Sequence, residues 1–267
     1  MRGTVQALGH TAWITLLFYI CQNLVLRWTE RAGLGPDPSI LVWCLPSVLL
    51  ILATVLLTRR LRAQGWKESL AYLGFKAVTG QRLGLGFVLS VPVLVGYGEG
   101  YVAYVHKGFS MSLFPQWPFL LAWFLVGTFF EELVFRGFLF QNLRERWAFG
   151  PAALVSSFAW ALAHFGNAFL GAHVRFLFPD ILVFLLGLTG AYVFERSGNS
   201  ILPWMMAHLA INLVGLVNIG NAGLFLTPLG APIGYLFGGE ILCLLIAVPV
   251  TRRLTADLMD RKGKAER

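Results

Sequence analysis

The chain has 267 residues, 57% hydrophobic and 13% charged, with a formal net charge of +8 and a mean hydropathy of +0.69. A soluble domain carries about 25% charged residues, so the composition excludes an ordinary soluble enzyme and points to a chain embedded in lipid. The excess of positive charge then belongs to loops facing an anionic lipid surface, and nucleic-acid binding is not expected.

Eight apolar spans follow in chain order, at about 11–26, 39–57, 83–105, 117–140, 149–170, 177–194, 200–219 and 233–250. Most approach the ~20 residues that cross a bilayer as a helix. They are apolar on all sides rather than alternating, which favours helices over a barrel. The expected fold class is all-α, a polytopic membrane helix bundle with about eight transmembrane helices, forming a single transmembrane domain over residues 1–267. Span one follows only Arg2 and precedes no A-x-A cleavage pattern, so it reads as a retained helix. The segment 58–82 interleaves Trp66, Leu70, Leu73 and Phe75 with charges and reads as an amphipathic helix on the cytoplasmic leaflet. The tail 252–267 is basic. Cys21, Cys44 and Cys243 all fall inside spans and read as packing residues. Gly234 and Gly238 form a G-x-x-x-G that predicts close helix packing in the last span.

The basic residues test the span count. With eight spans, the termini and the loops 58–82, 141–148 and 195–199 share one side and hold 16 of the 21 Lys and Arg, against four on the other side. That split follows the positive-inside rule and places both termini in the cytoplasm. Arg136 is the one left over, inside span four.

Span four also contains Glu131 and Glu132. Each ionisable group at mid-membrane costs roughly 2.5–3.5 kcal/mol on insertion scales, so three within six residues mark a functional interior. Glu132 and Arg136 are spaced i,i+4 in the acid-first order that favours a salt bridge. Glu131 points about 100° away, and desolvation raises its pKa unless another helix supplies a partner. Span five carries Trp160 and His164, and span seven carries His208 and Asn212, again i,i+4. If spans four, five and seven are neighbours, these groups meet in one chamber. Glu131 can then take a proton from water with His164 as its partner, and His208 and Asn212 can donate to a developing oxyanion. Ser156 and Ser157 stand near His164 without a G-x-S-x-G elbow, and no H-E-x-x-H is present. A Glu131/His164/His208 zinc site remains the metal-dependent alternative. Glu99 is a candidate lining group. Glu240 is a candidate for pairing with a basic group on another helix. Asn167 and His173 lie beyond His164, His173 being a spare metal ligand, and Asp180 reads as a helix-end residue.

Glu131-Glu132-x-x-x-Arg136, Trp160-x-x-x-His164 and His208-x-x-x-Asn212, in this order and each in its own span, resemble the three motifs of the CPBP family, the CAAX-protease and bacteriocin-processing (Abi) group of glutamic-type intramembrane endopeptidases. The resemblance covers about 117–215. It implies an eight-helix intramembrane protease in which Glu131 is the base, His164 its partner in activating water, His208 and Asn212 the oxyanion hole, and Glu132, Arg136 and Trp160 supporting residues. The aromatic of the second motif is commonly Phe in that family, so Trp160 is expected to serve as packing. No cofactor is favoured, because an amide Asn suits an oxyanion hole better than a zinc shell, with zinc the alternative. The implied partners are the bilayer and a membrane-anchored peptide or protein substrate, and the implied location is a multi-pass position in a prokaryotic plasma membrane. A proton-coupled transporter and a non-catalytic immunity protein are the alternatives that the same buried polar cluster allows.

Overall fold

The computed structural model describes residues 2–33, 36–106, 111–113, 115–170, 177–219 and 231–256. His173, Arg175, Lys107 and the tail past 256 lie outside the described residues, as do the side chains of Asn167 and Asp180. Helix dominates, because apolar runs of this length satisfy their backbone only internally when water is excluded. The elements are α1 (Arg2–Arg31), α2 (Pro36–Arg62), α3 (Trp66–Tyr72), α4 (Gly80–His106), β1 (Met111–Leu113), α5 (Trp117–Glu131), a π-helical segment (Glu132–Phe140), α6 (Gln141–Arg144), α7 (Phe149–Leu170), α8 (Leu177–Arg196), α9 (Leu202–Asn212), a 3₁₀ turn (Leu213–Leu216), β2 (Val217–Ile219) and α10 (Ala231–Leu254).

Each expected span overlaps a helix, and α3 sits inside the amphipathic 58–82 segment. Prolines open α5 and α9 at Pro118 and Pro203, where a missing N–H costs nothing. Among the described residues, two helices are long and apolar enough to cross a membrane by length and composition, Cys44–Arg62 with 19 residues and Trp117–Arg144 with 28. Trp13, Leu24, Phe87, Phe158, Leu162 and Leu245 are each more than half exposed, an outward apolar surface that soluble monomers rarely present.

The structure departs from the sequence expectations in five places. Span seven is α-helical only to Asn212 and then tightens into the 3₁₀ turn and β2. Eleven residues of α-helix reach only about 16 Å. The β-branched Val217 and Ile219 instead pair antiparallel with β1, Met111 opposite Ile219 and Leu113 opposite Val217, a small ladder in an otherwise helical molecule. Span four is not α-helical throughout, since Glu132–Phe140 winds in wider π turns. In α10 the close approach to α4 runs through Gly239, where an added Cβ would lie 2.6 Å from the Pro92 carbonyl, whereas Gly238 faces open space. Glu240 is buried, but among the described residues no basic group pairs with it. Glu99 is exposed on α4 rather than turned into a chamber.

The packing order decides which helices meet. The α4 helix packs against α9 and α10, α7 against α8, and α2 against α1 and α5. The end of α5 contacts α9, while the π segment that continues it contacts α7 and α8. One rod, α5 and its π extension, thereby stands between α7 and α9. At the end of the bundle holding α3, polar side chains tie the connecting loops together. Arg62 lies over the Tyr72 ring, hydrogen-bonds its hydroxyl at 2.6 Å and pairs with Glu145. Arg144 makes a two-pronged pair with Glu195 at 2.8 and 2.9 Å. Arg82 donates to the Ser197 carbonyl at 3.1 Å, and Asn199 to Gln141 at 3.1 Å.

Candidate active site

The site is built where α5 becomes the π segment. Glu131 is the last α residue and Glu132 the first of the wider turns, so adjacent carboxylates leave the rod toward different neighbours. Glu132 and Arg136 are buried side by side, with Arg136 Nη1 3.2 Å from Glu132 Oε1 and side chains 3% and 0% exposed. The i,i+4 ion pair read from the spacing is therefore present across a π rather than an α turn. Its N–H directions miss the carboxylate, so it is an ion pair without an aligned hydrogen bond.

His208, on α9, bridges the two carboxylates. Its Nδ1 is 2.8 Å from Glu132 Oε1 and its Nε2 is 3.8 Å from Glu131 Oε2. His164, on α7, presents Nε2 to the same Glu131 Oε2 at 3.5 Å, while its Nδ1 lies 3.0 Å from the Trp160 carbonyl one turn back. A carbonyl and a carboxylate only accept, so each Nδ1 carries a proton. Both Nε2 atoms converge on one carboxylate oxygen. These partners from other helices offset the desolvation that Glu131 would otherwise meet alone.

Trp160 does more than pack. Its indole N–H donates to Glu131 Oε2 at 2.8 Å. The Arg136 guanidinium lies 4.0 Å from its ring centroid, and His164 and His208 meet it edge-on at 4.8 and 5.3 Å. Glu131 is partly exposed, with 23% of its side chain accessible. Among the described residues its Oε1 receives no hydrogen bond.

Asn212 lies one turn beyond His208 on α9, and among the described residues its side chain meets Thr128 rather than Glu131 or His164. Its Nδ2 donates to Thr128 Oγ1 at 2.9 Å, which uses one of its two N–H groups. Thr128 is the site residue that sequence reading missed; it stands four residues before Glu132, on the turn that faces α9. Ser156 gives its hydroxyl to the Ala153 carbonyl at 3.2 Å, and Ser157 packs against Gly187 in the α7–α8 contact, so neither faces Glu131 as a nucleophile. Among the described residues, no group of three or more His, Cys, Asp or Glu side chains takes a metal-holding arrangement. Cys243 is buried and donates to the Leu89 carbonyl at 3.2 Å.

One comparison bears on this geometry. Residues 113–214 match the family model for the Type II CAAX prenyl endopeptidase Rce1-like family. The resemblance read from the three motifs is borne out over that segment. The Rce1-like segment runs from β1 into the 3₁₀ turn and contains the whole cluster, Glu131, Glu132, Arg136, Trp160, His164, His208 and Asn212. The family named by that match consists of CAAX endopeptidases, membrane-embedded proteins that act on prenylated, membrane-associated substrates. Comparison with curated proteins gives no match.

Proposed function

We propose that the protein is an intramembrane endopeptidase that hydrolyses a peptide bond of a membrane-associated or lipidated substrate. The observation that carries this reading is the convergence of His164 Nε2 and His208 Nε2, at 3.5 and 3.8 Å, on the carboxylate of Glu131, inside an Rce1-like segment. Eight membrane crossings with both termini cytoplasmic complete the reading. It is supported by the charge split and by the side-chain ties that gather the basic loops at one end of the bundle.

The proposed chemistry uses this chain's own groups. Water held between Glu131 and His164 loses a proton to that pair as its oxygen attacks the carbonyl carbon. Negative charge then moves onto the carbonyl oxygen. Asn212 offers its free N–H there. His208, protonated with Glu132 as counter-ion, offers Nε2–H. Collapse breaks the C–N bond, and the proton taken from water passes to the leaving amine. The metal-free reading follows from the partners already present, because Glu131 Oε2 accepts an indole N–H and Asn212 holds a hydroxyl. A metal, if used, would have Glu131, His164 and His208 as its ligands.

The test is purified protein in detergent with a panel of membrane-anchored peptides, with and without chelator. Cleavage in the wild type and its loss in Glu131→Gln and His164→Ala, with folding retained, is the expected result. Equal cleavage by Glu131→Gln would end the proposal. Loss with chelator and recovery with zinc would replace the metal-free mechanism by the metal one.

A further inference from the structure

We infer that Trp160 is a positioning residue for the base, because its indole N–H occupies one oxygen of Glu131 and reserves the other for water. This rests on the hydrolase reading above and deepens it. Trp160 is 2% exposed and touches four members of the cluster, Glu131, Arg136, His164 and His208. Its N–H reaches Glu131 Oε2 at 2.8 Å. Its face carries the Arg136 guanidinium at 4.0 Å. Both histidine rings meet it edge-on, and its own carbonyl takes the Nδ1 proton of His164 at 3.0 Å.

The chemistry of the donor gives this arrangement its meaning. An indole N–H donates, never accepts, and does not titrate in water. Unlike a histidine, it cannot take the proton that Glu131 removes from water. A bond from it to Oε2 therefore restricts the carboxylate's rotation without competing in proton transfer. Oε2 is the crowded oxygen, with the indole and both Nε2 atoms around it, and Oε1 is the oxygen left to face water. A phenyl ring at 160 would lose this bond together with part of the packing of the fused ring, whereas a fused ring without the N–H would lose the bond alone. An unpartnered buried indole N–H would itself be costly, so donor and acceptor depend on each other.

The experiment has two arms. In the first, kcat and KM for a cleaved membrane-anchored peptide are measured for wild type, Trp160→Phe, and protein carrying benzothienylalanine at 160, which keeps the fused ring and replaces N–H by sulfur. Both replacements should lower kcat roughly tenfold, the scale of a lost hydrogen bond to a charged group, with KM within about twofold. Wild-type kcat in the benzothienyl protein, or a change in KM alone, would overturn the inference. The second arm needs no activity. With indole ¹⁵N labelling of the nine tryptophans, the resonance missing in Trp160→Phe identifies Trp160. Glu131→Leu should move that resonance upfield in the proton dimension, and a resonance that does not move would disprove the bond. A shifting resonance in a protein that cleaves nothing would sink the hydrolase reading while leaving the Trp160–Glu131 bond established.

Discussion

Glu131 and Glu132 are neighbours in sequence and occupy opposite circumstances in space. Glu132 is fully buried against Arg136 and His208, whereas Glu131 keeps an open edge. The proposed division of labour, in which Glu132 orients His208 and Glu131 meets water, rests on that difference. Removing one partner of a buried ion pair leaves the other charge uncompensated. Glu132→Gln should therefore cost about 3–5 kcal/mol of stability, read by denaturant unfolding in detergent. The double variant Glu132→Gln with Arg136→Met should recover at least half of that loss, because no lone charge remains, while cleavage stays low because His208 has lost its anion. A single variant as stable as wild type would show that the pair carries no such role. At this scale the residue types were legible in the sequence, since ionisable groups in apolar spans are rare. The Trp160 N–H bond and the Thr128 contact were not, because both join side chains from different rods.

The decisive element is the rod that changes winding at Glu132. An α-helix continued through 132–140 would present a different set of side chains to α7 and α8. The π turns bury every residue from Glu132 to Phe140. Sequence periodicity does not announce such a segment, because Glu132 and Arg136 face each other in either winding. Gly137 marks where another chain segment presses against it. A Cβ added there would overlap the Leu73 carbonyl oxygen at the end of α3. Gly137→Ala should destabilise the protein by about 1–3 kcal/mol through that backbone clash, lowering its unfolding temperature in detergent. Gly127→Ala, in α5 where a Cβ meets nothing within 4 Å, should be neutral or up to about 1 kcal/mol stabilising. Equal stability of the two variants would refute the idea that α3 is seated on the π segment.

Across the whole molecule, the loops 58–82, 141–148 and 195–199 are bound to one another at one end, and the β1–β2 ladder joins the chain near the far ends of α4 and α9. Burial pushes the Tyr72 phenol well above its usual range. Arg62 opposes the shift and Glu145 adds to it, so the phenol stays protonated and keeps its place under Arg62 through neutral pH. The topology is testable with single cysteines in a background lacking Cys21, Cys44 and Cys243. Lys67→Cys and Arg146→Cys should react with an impermeant maleimide only from the cytoplasmic side, and Ser112→Cys only from the other. Labelling of Ser112→Cys and Arg146→Cys from the same side would break the eight-crossing arrangement.

The order of apolar runs, the positions of the acids and histidines within them, and the distribution of Lys and Arg between loops were all set by the sequence alone. Burying charge in lipid is costly at any position, so these features are visible one span at a time. Which rods stand together, where α9 ends, how the rod winds after Glu131 and which oxygen of that carboxylate is held were decided only by tertiary packing. Those outcomes depend on contacts between segments far apart in the chain, whose geometry no local pattern encodes.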